Sequence, residues 1–132
     1  MVERRNVPGL AEPPGYTHVA VARGTTLVFT AGQVPLDAAG RVVEPDDLIA
    51  QTRRVVENLT ATLAEAGAAS EDVVKTTLYV AGDPTALVAA WQAFQEHAPS
   101  ALAGAPSTLL GVTHLGYQGQ LVEIEAVAVL ER

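Results

Sequence analysis

The run GQLVEIEAVAVL, Gly119 to Leu130, is apolar on two sides at once. At a two-residue period Val122, Ile124, Ala126, Ala128 and Leu130 point one way, while Leu121, Glu123, Glu125, Val127 and Val129 point the other. A strand of this kind is covered on both faces. At least one glutamate is then expected near a buried surface, where an unpaired charge is costly. The alternative is an edge strand whose two solvated glutamates discourage aggregation.

Working outward, residues 1–15 are punctuated by Pro and Gly and read as an arm. THVAVARGTTLVFTAG (17–32) reads as two strands meeting in a hairpin at Arg23-Gly24-Thr25, and Gly40 suits a tight turn before a further short strand. From Asp46 the period changes: Leu48, Ile49, Thr52, Val55, Val56, Leu59 and Leu63 form a helical stripe, capped by Asp46 or Asp47 and ended by Gly67. DVVKTTLYV (72–80) is rich in β-branched residues and predicts a strand. Asp83-Pro84 opens a second helix with Leu87, Trp91 and Phe94 on one face, and Pro99 closes it. STLLGVTHL (107–115) and the terminal strand follow, joined by a turn at Gly116–Gln120.

The order β-β-(β)-α-β-α-β-β predicts an α+β fold in one domain, a mixed sheet with two helices packed on one face. Two helices cover one side only, so another copy of the chain is the expected cover for the second, in a closed homo-oligomer.

The 132 residues have no cysteine, which excludes disulfides, thiolate metal sites and a cysteine nucleophile, and fits a cytoplasmic, reducing home. No stretch of about eighteen apolar residues occurs, so neither export nor membrane spanning is expected. The net charge is −7 and Lys75 is the single lysine, which disfavours a nucleic-acid partner. His18, His97 and His114 lack metal-ligand spacing, so no metal is expected. There is no Gly-x-Ser-x-Gly elbow and no phosphate-cradling glycine loop.

Three separated stretches, GYTHVAVARGTTLVFTAGQVPLDAAGRVV (15–43), QTRRVVENLTATLAEAGAASEDVVKTTLYV (51–80) and LVEIEAVAVL (121–130), resemble the Rid family, also called the YjgF or L-PSP endoribonuclease-like family. The resemblance implies a chorismate-mutase-like fold and a homotrimer with a barrel-like core and clefts between subunits. It implies hydrolysis of reactive enamines and imines, such as 2-iminopropanoate, to 2-oxo acids and ammonia, with no cofactor.

Carried over by residue, the resemblance places Tyr16, Gly32, Gln33, Ser107 and Thr108 in substrate binding and makes Glu123 the catalytic carboxylate, orienting or deprotonating the attacking water. Read from its own surroundings, Gln33 has a competing role bonding its own loop, and Tyr16 one in sealing a core edge. Glu125 is assigned to structure or to an interface.

Departures from the archetype bear on substrate. Ser107 stands where the archetype has an arginine that grips the substrate carboxylate; Ala31 replaces a serine and Val88 an asparagine. The turn Gly116–Gln120 is one residue longer. The expectation is a small-molecule hydrolase, enamine/imine deaminase-like, whose substrate is more neutral than 2-iminopropanoate. The alternatives are a non-catalytic metabolite-binding trimer and, disfavoured by charge, an endoribonuclease.

Overall fold

The computed structural model describes residues 1–132. The elements run β1 (Val2–Arg5), β2 (Val19–Ala22), β3 (Thr26–Phe29), α1 (Leu48–Glu65), β4 (Val73–Ala81), α2 (Pro84–His97), α3 (Ser100–Ala103), β5 (Ser107–Val112) and β6 (Val122–Leu130). Four strands make a mixed sheet in the order β3-β6-β4-β5. In it β6 is antiparallel to β3 and β4, and β5 is parallel to β4 across the α2 crossover.

Both long helices start where the sequence predicts. Asp47 accepts from the Ala50 N–H at 3.0 Å and Asp83 from the Ala86 N–H at 2.9 Å, with Pro84 in the first helical turn. Replacing either cap by alanine costs about 1 kcal/mol. Gly67, at φ +80°, follows the α1 C-cap in the left-handed conformation. The α1 stripe Val55, Val56, Leu59 and Leu63 is buried with Phe94 and Ala90 of α2 against Leu78, Val80, Val122 and Ile124 of the sheet. Phe94 has no exposed surface, so its truncation to Ala costs about 3–5 kcal/mol.

Several local expectations are corrected. The expected hairpin at Arg23-Gly24-Thr25 does not form: β2 pairs with β1 and β3 pairs with β6. Arg23 N–H donates to Met1 O and Thr25 N–H to Leu130 O, both at 2.9 Å, so these residues carry the chain from one sheet to the other. Gly24 is needed at this crossing, where a Cβ would meet the Leu130 carbonyl oxygen at 2.4 Å.

The arm contains β1, fastened by Arg4, whose guanidinium donates to the carbonyls of Ser70, Val73 and Ala101. The short strand after Gly40 is only a bridge, Leu36 to Val42. β5 ends at Val112 rather than Leu115. An irregularity between Val73 and Lys75 puts Val73 on the helix side with Thr76, Leu78 and Val80, leaving two residues, Val74 and Lys75, between the buried Val73 and Thr76.

The second sheet face carries Leu27, Phe29, Lys75, Thr77, Tyr79, Thr108, Leu110, Glu123, Glu125 and Val127, as the strand registers require. Within the single chain this face is bare: Phe29 is 70% exposed, Leu27 61% and Leu110 42%. No helix is long and apolar enough to cross a membrane.

Candidate active site

The expected site residues fall into two groups. The first lies along the free edge of β5. Tyr16, Ser107 and Thr108, with Pro14, Trp91 and Leu109, line a hollow of about 360 Å³. Trp91 is fixed because its indole N–H donates to Pro14 O at 2.8 Å, and Tyr16 meets it edge-on at 6.0 Å between ring centroids. The Ser107 hydroxyl accepts from the buried Thr76 Oγ1 at 2.8 Å, and Thr108 Oγ1 accepts from Lys75 Nζ at 2.6 Å. No arginine lines this hollow. It joins a second, of about 500 Å³, through the shared Pro14, Trp91 and Leu109, and that hollow also reaches Val88.

The second group is Gly32 and Glu123. The Glu123 carboxylate lies directly over Gly32, where a Cβ would stand 2.0 Å from Oε2. Gln120 Nε2 donates to the other oxygen, Oε1, at 3.1 Å. Gln33 adjoins this pair through its backbone, which bridges to Ile124 in both directions at 2.8 and 3.2 Å. Its side chain turns away: Oε1 accepts from Thr62 Oγ1 and Nε2 donates to Ala31 O. Gln33 thus fastens the loop to α1 and β6.

Within one chain the two groups do not meet. Ser107 shares a row with Thr76 and Ala126, and Glu123 lies three residues further along β6, so strand spacings put their backbones roughly 14 Å apart. Their side chains occupy opposite faces: Ser107 is paired to Thr76 on the helix side, whereas Glu123 is beside Tyr79 on the bare side.

Glu125, two residues on, accepts a hydrogen bond from the Tyr79 hydroxyl. That bond, then burial and the charges of Glu125 and Glu123, holds the Tyr79 phenol above its ordinary value of 10.0. The sequence reading missed three participants. Tyr79 was marked by the polar period Lys75, Thr77, Tyr79, which puts it on the glutamate face. Trp91 gave the signal of a core helix residue, and Gln120, a turn glutamine, gave none.

Two helices over one side of a mixed four-stranded sheet, with paired glutamates and a bare apolar rim on the other, define an α+β domain of the YjgF/L-PSP architecture. The chain belongs to the Rid (YjgF, L-PSP endoribonuclease-like) family, since the family model described as Endoribonuclease L-PSP matches residues 10–130. The structure of the Rid family protein YyfB from Yersinia pestis is similar at a TM-score of 0.84, with 34% identity over 98% of each chain.

Protein DfrA of Myxococcus xanthus is 32% identical over 116 residues, 86% of this chain and 84% of that protein. The 2-iminobutanoate/2-iminopropanoate deaminase of Salmonella typhimurium is 43% identical over 56 residues, 42% of either chain. The match to the RutC family protein PYRAB12510 of Pyrococcus abyssi likewise spans only 42% of that relative's length.

Proposed function

We propose that this chain is a cytoplasmic, single-domain hydrolase of C=N bonds, working as a homotrimer in clefts between subunits on an enamine or imine other than 2-iminopropanoate. The observation that carries this reading is the seating of Glu123, a half-buried carboxylate with one oxygen bonded to Gln120 and the other over a glycine that leaves it room. Family membership and a relative named for deamination of 2-imino acids support it.

In this reading Glu123 takes a proton from water as the oxygen attacks the imine carbon. The proton passes to nitrogen to give a carbinolamine; the carboxylate then moves the hydroxyl proton to the amino nitrogen, the C–N bond breaks to release ammonia as the C=O bond forms, and the carboxylate is restored. The bare apolar face of Leu27, Phe29 and Leu110 supplies the trimer contact. A trimer also offers a way to bring Ser107 of one subunit toward Glu123 of another. Hydroxyls of Tyr16, Ser107 and Thr108, with no guanidinium among them, suit a substrate without a carboxylate.

The test generates imines with an amino-acid or amine oxidase and traps those that escape with semicarbazide. The expected result is faster loss of an uncharged imine than of 2-iminopropanoate, abolished in Glu123→Gln. Full activity of that variant overturns the catalytic role.

A second reading, a non-catalytic metabolite-binding trimer, is favoured by the engagement of the Ser107 hydroxyl with Thr76. It predicts ligand binding without turnover. Labelled RNA at low salt tests the endoribonuclease reading, and the net charge of −7 predicts no binding.

A further inference from the structure

Gln120 is 4% exposed, and its side chain makes three hydrogen bonds. Oε1 accepts from the Tyr117 N–H at 3.1 Å, while Nε2 donates to Val122 O and to Glu123 Oε1, each at 3.1 Å. The amide can sit only this way round. Reversed, its oxygen would face two acceptors and its NH2 group would face an N–H donor. Both amide hydrogens are therefore committed to acceptors, one of them Glu123 Oε1.

The other oxygen, Oε2, is the one that lies over Gly32. The segment bearing Gln120 is held in turn by a second buried glutamine. Gln51 of α1 accepts from Leu121 N–H at 2.8 Å and donates to the carbonyls of Gly119 and Glu44. Two glutamines thus connect the start of α1 to the carboxylate through the turn.

We infer that Gln120 is a positioning residue for Glu123, occupying Oε1 so that Oε2 alone accepts and returns the proton. This rests on the hydrolytic reading of Glu123, but the hydrogen bond itself is testable without substrate. The long turn before β6 then has a chemical role, because it delivers an amide donor to one oxygen of the carboxylate.

The test has two arms. In the first, the side-chain amide of Gln120 is followed by 1H–15N NMR in the wild-type protein, Glu123→Gln and Glu123→Ala. The expected result is that the Gln120 NH2 resonances move in both variants, and unmoved resonances overturn the clamp. In the second, Gln120→Met keeps side-chain length but removes the donor. The expected result is a kcat lower by about tenfold or more with KM within about twofold, the signature of a lost transition-state contact.

A merely structural role would leave that split absent and would be reproduced by Gln51→Met, which loosens the turn without touching Glu123. Wild-type kcat in Gln120→Met overturns the proposal. If the wild-type protein turns over no imine, the hydrolytic reading of Glu123 and the proton role drawn from it both fall. The NMR arm still decides whether Gln120 holds the carboxylate.

Discussion

Gly32 and Glu123 are in such close contact that a methyl group on residue 32 would stand 2.0 Å from Oε2 and 2.6 Å from the carboxyl carbon. The obstructing atoms are the end of a side chain, so Gly32→Ala should displace Glu123 rather than unfold the domain. The expected cost is about 1–3 kcal/mol of stability, as for other overpacking substitutions. Hydrolytic activity should fall as far as in Glu123→Gln. Denaturant midpoints and the trapping assay, run on the same preparations, check both halves; wild-type activity would show that Glu123 need not occupy this position.

The bare face predicts the assembly. Light scattering should give about 41 kDa, three times the 13.7 kDa chain. Phe29, 70% exposed at the rim, is the natural point of attack, and Phe29→Asp should abolish the trimer because burying an unpaired charge there is costly. A well-folded wild-type monomer at micromolar concentration would refute the role assigned to this face.

Ser107→Arg should restore a grip on carboxylates. One or two charge-assisted hydrogen bonds at about 1.5–3 kcal/mol each predict a gain on 2-iminopropanoate of at least about tenfold. The same change strands the fully buried Thr76 hydroxyl that now donates to Ser107, at about 1–3 kcal/mol of stability. The expected variant is therefore more active on 2-iminopropanoate and less stable. Equal rates for wild type and variant would remove the argument that Ser107 narrows the substrate range.

Tyr79 gives a prediction for alkaline pH. The folded protein favours its neutral phenol, chiefly through the bond to Glu125, so its titration is raised above 10.0. Its contribution to stability is complete below about pH 10 and is lost as the pH climbs through the raised value. Tyr79→Phe should lower stability near neutrality and remove that alkaline loss. Phenolate absorbance should lack its late-titrating component in the variant; superimposable curves would count against the Tyr79–Glu125 bond.

What could be read before folding was local. The caps Asp47 and Asp83, the opening Pro84 and the left-handed Gly67 each involve a side chain or backbone position within a few residues of the helix end it defines. The helical stripe of Val55, Val56, Leu59 and Leu63 and the period of β6 follow from the geometry of one element. The two-faced apolarity of β6, taken with only two predicted helices, led to the expectation of helices on one face and another copy of the chain on the other. Glu123 and Gly32 were legible as site candidates through resemblance, although nothing in the sequence said that they touch.

What lay beyond the sequence depended on partners far along the chain. β2 could be recognised as a strand, but its pairing with β1, and the passage of Arg23–Thr25 between sheets, depended on where Met1 and Leu130 would lie. The irregularity at Val73–Lys75 reverses which face Val73 occupies, a decision made by its neighbour β6. Gln120 reads as an ordinary turn residue until the fold buries it beside Glu123 and leaves its amide no other partners. Ser107 and Glu123, expected in one site, stand on opposite faces because strand parity and register fix side-chain direction, and both are set only when the sheet assembles.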